Sequence, residues 1–230
     1  LVGIFGIGNK PTGEKDPFAL RRTALGVLRV IIESRLAVDL RKLIDSAVQG
    51  YGERLSNAKT VEEVKTFMME RLRGYFADKG IATEVYAAVH ARHPAQPYDF
   101  ARRVEAVHAF YQLPDAQALA AANKRIQNIL RRVDGAVSTA VNDELFTENA
   151  EWDLAAKLMG LKPRVQKLLS DGQYTEALAA LAGLRESVDC FFDEVKVMDD
   201  VDAVKNNRLA ILANIHELFI ETADISRLQA

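Results

Sequence analysis

Apolar residues recur at three- and four-residue intervals along most of this chain, which is the spacing of one face of an α-helix. Leu20, Ala24, Val27, Leu28, Ile31 and Ile32 form the first such stripe. Asp16 and Pro17 stand before it as an N-cap and a first helical residue, so the pattern predicts a helix from Pro17 to about Arg35. A second helix is predicted from Asp39 to Gln49, stopping at Gly50. Thr60-Val-Glu-Glu63 has the form of a capping box and opens a stripe of Val61, Val64, Phe67, Met68, Leu72 and Phe76, ended by Gly80. Further helices are predicted near 84–92, 98–111 and 115–133, with Pro94, Pro97 and Pro114 as breaks. After a looser segment beyond Gly135 come four more, near 151–169, 174–184, 187–196 and 202–222. In the last, Arg208, Ile211, Leu212, Ile215, Leu218, Phe219 and Thr222 share one stripe. No alternating run bounded by turns is long enough for a strand. The expected fold is all-α, a helical bundle with two helical subdomains.

Composition changes this picture little. Of 230 residues, 49% are hydrophobic and 27% charged, as in ordinary globular proteins. No apolar run has the length of a membrane-spanning helix. Leu1 to Gly8 is apolar but follows no charged region and is interrupted by Gly3, Gly6 and Gly8, unlike a signal peptide. A chain opening on Leu-Val-Gly reads as a piece of a longer one. Cys190, the only cysteine, excludes an internal disulfide and a multi-thiolate zinc site. Beside Phe191 and Phe192, it is expected as a small buried side chain.

Charge is more informative in its distribution. The net charge of −2 excludes a protein that coats nucleic acid through bulk charge. Residues 1–36 hold six basic and three acidic groups, and residues 136–200 hold six and thirteen. Lys124, Arg125, Arg131 and Arg132 lie within nine residues that contain no acid. Any contact with a polyanion is therefore local.

Catalytic patterns are lacking. His90 and His93 could seat a metal at one helical turn, but no third ligand follows at suitable spacing. His108 and His216 stand singly on helices and are expected to be structural. Gly3-Ile-Phe-Gly-Ile-Gly8 follows no strand and carries no adjacent lysine, so a turn between packed helices is expected there rather than a phosphate cradle. Nucleophile, base and orienting group do not occur together.

Two segments suit binding better. In Asn123-Lys-Arg-Ile-Gln-Asn-Ile-Leu-Arg-Arg132, Ile126, Ile129 and Leu130 supply a core-facing side. Lys124, Arg125, Asn128, Arg131 and Arg132 remain for the other faces, where cations can hold phosphates and an amide can reach a base edge. The second segment runs from Val195 to Leu209. There Lys196 and an acid loop, Asp199-Asp200, precede Lys205, Asn206, Asn207 and Arg208 in the first turns of a helix. The acid can cap that helix, and the amides and arginine can read an unstacked base. A solvated helix face is the plainer reading of the first segment, and in the second the pattern leaves capping and base reading both open.

The same segments carry a resemblance. Gly6-Ile-Gly-Asn-Lys-Pro-Thr-Gly-Glu-Lys-Asp-Pro-Phe-Ala-Leu-Arg-Arg-Thr-Ala-Leu-Gly-Val-Leu-Arg29, Ala122-Asn-Lys-Arg-Ile-Gln-Asn-Ile-Leu130 and Val188-Asp-Cys-Phe-Phe-Asp-Glu-Val-Lys-Val-Met198 resemble, in order, stretches of bacterial glycyl-tRNA synthetase beta subunits. So do Asn206-Asn-Arg-Leu-Ala-Ile-Leu212 and Ala223-Asp-Ile-Ser226. The resemblance implies that residues 1–35 close an upstream helical domain of HD type, whose His-Asp residues are not in this chain. Residues 36–119 would be a helical connector, and 120–230 a DALR anticodon-binding domain like that of arginyl-tRNA synthetases.

It further implies a part in ATP-dependent glycyl-tRNA formation, with the chemistry in an alpha subunit that uses ATP and Mg. This chain itself would need no cofactor. The implied partners are tRNA(Gly), the alpha subunit and the remainder of beta, in a cytoplasmic heterotetramer of two alpha and two beta chains, with neither DNA nor membrane. The resemblance directs Lys124, Arg125, Arg131 and Arg132 to phosphates, and Asn206, Asn207 and Arg208, with Lys196 nearby, to bases. A helical protein-interaction scaffold is the alternative, since Gly172-Gln-Tyr-Thr-Glu-Ala-Leu-Ala-Ala-Leu181 resembles one tetratricopeptide helix. A solenoid needs several such copies. An active HD phosphohydrolase lacks its metal-ligand motif.

Overall fold

The computed structural model describes residues 1–229, and among them it contains eleven α-helices and no strand. The chain divides into two compact units. The first comprises Leu1–Tyr86 and His93–Arg102, and the second comprises Ala87–Arg92 and everything from Arg103 on.

In the first unit, α1 (Val2–Gly6), α2 (Leu20–Glu33), α3 (Leu40–Tyr51) and α4 (Thr60–Asp78) pack together, with α4 touching the other three. Leu28, Val64 and Leu72 have no exposed surface, and Phe76 almost none. Phe76 and Phe100 lie 5.9 Å apart between ring centroids, with Tyr86 5.3 Å from Phe100. The Tyr86 hydroxyl donates to the Met69 carbonyl, and burial pushes its pKa up to about 12.

Local rules explain where the boundaries moved. The Asp16 carboxylate does cap a helix, accepting from the Leu20 and Arg21 amides at 2.8 and 2.9 Å. Ala19, however, takes a left-handed conformation (φ 51°), so α2 begins at Leu20 instead of Pro17. The Thr60–Glu63 capping box does not form. The Thr60 hydroxyl donates back to the Asn57 carbonyl, and Glu63 is drawn away by Asn57 and Lys10. The apolar start, expected as a turn, is the one-turn helix α1. It lies so close to its neighbours that a Cβ on Gly3 would stand 2.7 Å from the Tyr51 hydroxyl, and one on Gly6 2.4 Å from Leu55.

The second unit is built around α11 (Asp202–Ile220), packed on α7 (Ala116–Leu130) and α8 (Asn149–Ser170). Beside these stand α9 (Tyr174–Ala182) and α10 (Arg185–Glu194), and a short 3-10 turn at Ile225–Leu228 covers α7. Every residue of α11 from Asn207 to Ile215 is buried. The single stripe expected for this helix is therefore a helix covered on all sides, as its central position requires. α5 (Thr83–His90) and α6 (Pro97–Tyr111) complete the set of helices.

Phe76→Ala is expected to cost about 3–5 kcal/mol, the range for emptying a large aromatic site in a close-packed core. A urea titration followed by circular dichroism would measure it.

Candidate nucleic-acid interface

The basic segment folds as the last turns of α7. Ala116, Leu119, Ala120, Asn123 and Ile126 are buried, which turns Lys124, Arg125 and Asn128 outward. Across from them, α10 ends at Glu194 and the chain leaves it extended at Val195 and bends at Val197 and Met198, with Val195 and Val197 buried and Lys196 and Met198 exposed. This alternation aims the lysine and the methionine one way and both valines into the core.

Between α7 and this segment lies an open groove of about 640 Å³. Lys124, Arg125, Asn128 and Arg132 line one side, and Lys196 and Met198 the other. Its polar rim thus carries four cations and an amide. Lys196 pairs with Asp200 at 2.9 Å. Among the described residues, no carboxylate lies within ion-pair distance of Lys124, Arg125 or Arg132. Arg125 instead places its guanidinium carbon 4.1 Å over the centre of the Phe192 ring.

The remaining candidates lie elsewhere. Arg131 is exposed beyond the end of α7 and does not line the groove. Its charge acts on His216, whose pKa is lowered first by burial. Lys205 pairs with Asp202 within its own helix, and Asn206 is exposed.

Asn207 and Arg208 are not placed as base readers, for they are 4% and 3% exposed. Asn207 accepts from the Asn142 amide at 2.7 Å and donates to the Asn142 carbonyl at 2.8 Å. All five N–H groups of Arg208 are used. They reach Glu151 at 2.9 and 3.3 Å, Thr147 Oγ1 at 2.7 Å, Asp199 at 2.7 Å and the Lys196 carbonyl at 2.9 Å. Contact with a base through either residue would require breaking these bonds.

Glu151, with no exposed surface, holds this cluster from the other side. Burial alone would raise its pKa. Hydrogen bonds from Arg208 and from the Thr147 and Glu148 amides outweigh that and hold it below the usual carboxylate range. Asp199 is also lowered, first by the Val201 amide and then by Arg208. Arg208 thereby fixes the loop that presents Lys196 and Met198.

Sequence reasoning missed Glu151 and Phe192. Glu151 stands three residues after the cap of α8, where a carboxylate can reach back to the cap amide. Phe192 falls off the Val188–Phe191–Val195 stripe, which marks it as an aromatic ring outside the core. Cys190, expected to be buried, is exposed for the same reason, and its thiol donates to Glu194.

Comparison with known proteins bears on what this surface is for. Residues 1–91 match the family model of the glycyl-tRNA synthetase beta subunit. Residues 119–225, which hold the whole groove, match the DALR anticodon binding domain. Over both matched segments the chain is similar to part of the glycyl-tRNA synthetase beta subunit. It is 54% identical over 229 residues to a glycine–tRNA ligase beta subunit of Shewanella baltica and 53% identical to one of Shewanella putrefaciens. In each case the match takes in the whole of this chain and 33% of the relative, so the chain spans about a third of the length of these curated relatives.

Two outcomes follow from the buried pair. Arg208→Ala leaves an unpaired buried carboxylate and is expected to destabilise the chain by about 3–5 kcal/mol, read by urea denaturation. Glu151 and His216 both titrate below their unfolded values. Their contributions are present above the unfolded pKa values of 4.5 and 6.5 respectively, and are lost as pH falls through the lower folded values. The urea midpoint should therefore drop on acidification below pH 6.5 and again below pH 4.5. In Glu151→Gln the second drop should shrink.

Proposed function

We propose that this chain recognises the anticodon of tRNA(Gly) for a glycine–tRNA ligase and itself performs no chemistry. The observation that carries this reading is the groove between α7 and residues 195–198. Three cations without a carboxylate partner and an exposed amide converge there, inside the segment that matches an anticodon-binding domain. Lys124, Arg132 and Lys196 take phosphates. The groove's open form suits an anticodon loop, whose unstacked bases are accessible to side chains. Arg131 and Asn206, exposed nearby, extend the candidate surface, while Asn207 and Arg208 act through the loop they hold.

In the same proposal, glycine activation with ATP and Mg belongs to an alpha subunit, and this chain holds no cofactor of its own. The partners are the alpha subunit and the remainder of beta, in a cytoplasmic assembly of two alpha and two beta chains. Residues 1–35 close an HD-type domain, 36–119 connect, and 120–230 read the tRNA. The anticodon-binding match over residues 119–225 supports the last of these assignments, whereas the beta-subunit match runs over residues 1–91 without a break at residue 35. No helix among the described residues is long and apolar enough to cross a membrane.

A gel-shift titration with tRNA(Gly) and an anticodon-swapped variant tests the reading, and equal affinity for the two would sink it. Lys124→Ala and Arg132→Ala should each weaken binding regardless of anticodon. Each should also lower the slope of log K against log[salt] by about 0.7, the value for one phosphate contact on a single strand.

A further inference from the structure

We infer that Arg125, seated over the Phe192 ring, is a stacking platform for one unstacked nucleobase of the bound RNA, an inference that rests on tRNA binding by the groove. The other groove cations have no comparable support. The Arg125 guanidinium carbon lies 4.1 Å from the centre of the Phe192 ring, within cation–π range, and the residue is exposed and lines the groove. Phe192 is braced in turn by an edge contact to the buried Phe191, with centroids 5.9 Å apart at 72°.

Two consequences follow from this geometry. Phe192 backs the guanidinium from one side, and Arg125 also lines the groove. The side chain also reaches its bound orientation before RNA arrives, so less rotamer freedom is lost on binding. Arginine planes take bases by stacking, whereas a lysine ammonium at the same place offers a point charge.

The surroundings supply what a single base needs. Asn128, one helical turn along from Arg125, carries a donor and an acceptor for a base edge. Met198, 49% exposed on the far wall, is a flexible apolar side chain suited to cover the second face of a ring. Lys124, Arg132 and Lys196 flank the position as seats for the phosphates. At about 640 Å³ the groove lies within the roughly 300–1,000 Å³ typical of small-molecule pockets.

The experiment uses the 230-residue chain and an RNA hairpin with the anticodon arm of tRNA(Gly), read by fluorescence anisotropy across a salt series. Each loop nucleotide is replaced in turn by an abasic one, against the parent chain and against Arg125→Lys. This substitution keeps the charge, removes the plane and sits on an exposed face. Removal of one particular base should weaken the parent about tenfold, within the range for one stacked base. Arg125→Lys should lose a similar factor on the intact hairpin with its salt slope unchanged, and should lose nothing further when that base is removed. Phe192→Leu should follow Arg125→Lys.

Intact binding by Arg125→Lys within twofold of the parent would overturn the platform while leaving tRNA recognition standing. So would equal sensitivity of parent and variant at every abasic position. Failure of the parent chain to bind the hairpin would remove both readings together.

Discussion

The second unit depends on one buried ion pair. Arg208 stands near the start of α11 in a stretch buried on all sides, and an unpaired charge there would be prohibitively costly. Glu151 at the start of α8 meets it, and every N–H of the guanidinium finds an oxygen. Such a pair adds little net stability over well-packed apolar residues, because both ions must be dehydrated. What it supplies is position. Three separate parts of the chain, the N-terminus of α8, the loop at 195–199 and α11, are brought to a single point by one rigid fork. A lysine, with three donors on a flexible stem, could not serve all of them.

The groove follows from that arrangement. Its α7 wall is set by helix periodicity, which turns Lys124, Arg125 and Asn128 away from the core, with Arg132 in the turn that follows the helix. The opposite wall has no regular structure of its own, and its carbonyl at Lys196 and its carboxylate at Asp199 are held by Arg208. Residues 136–200 are acidic as a whole, yet several of their carboxylates pair with a base one helical turn away: Asp153 with Lys157, Asp171 with Lys167, Asp189 with Arg185. Lys124, Arg125 and Arg132 are left uncompensated at one place. A chain with a net negative charge can thus present a locally positive surface.

The helices were legible in the sequence because their apolar spacing is strong, and all the longer ones lie where the pattern puts them. Boundaries were less so. Ala19 in a left-handed conformation could not be read from its identity, and the Thr60–Glu63 signal lost to competing partners, Asn57 and Lys10, distant or unmarked in the pattern. The α7 half of the site was legible as cations without acids. The other half was misread at Asn207 and Arg208. Polar residues next to an apolar run suggest a solvent face, and only the presence of Asn142 for Asn207 and Glu151 for Arg208, each more than fifty positions away, makes them interior. Pairing across that separation leaves no local trace.

The segment between α7 and α8 has little regular structure, and α11 holds it with asparagines. Asn207 grips the backbone of Asn142 in both directions, and Asn214 donates to the Thr139 carbonyl. It is a strap whose order is borrowed from the helix beneath it. Its conformational freedom is set by α11, so cutting it near Gly135 would sever the chain without releasing either piece. The halves would stay associated through the buried helix, as a nicked protein that still assembles.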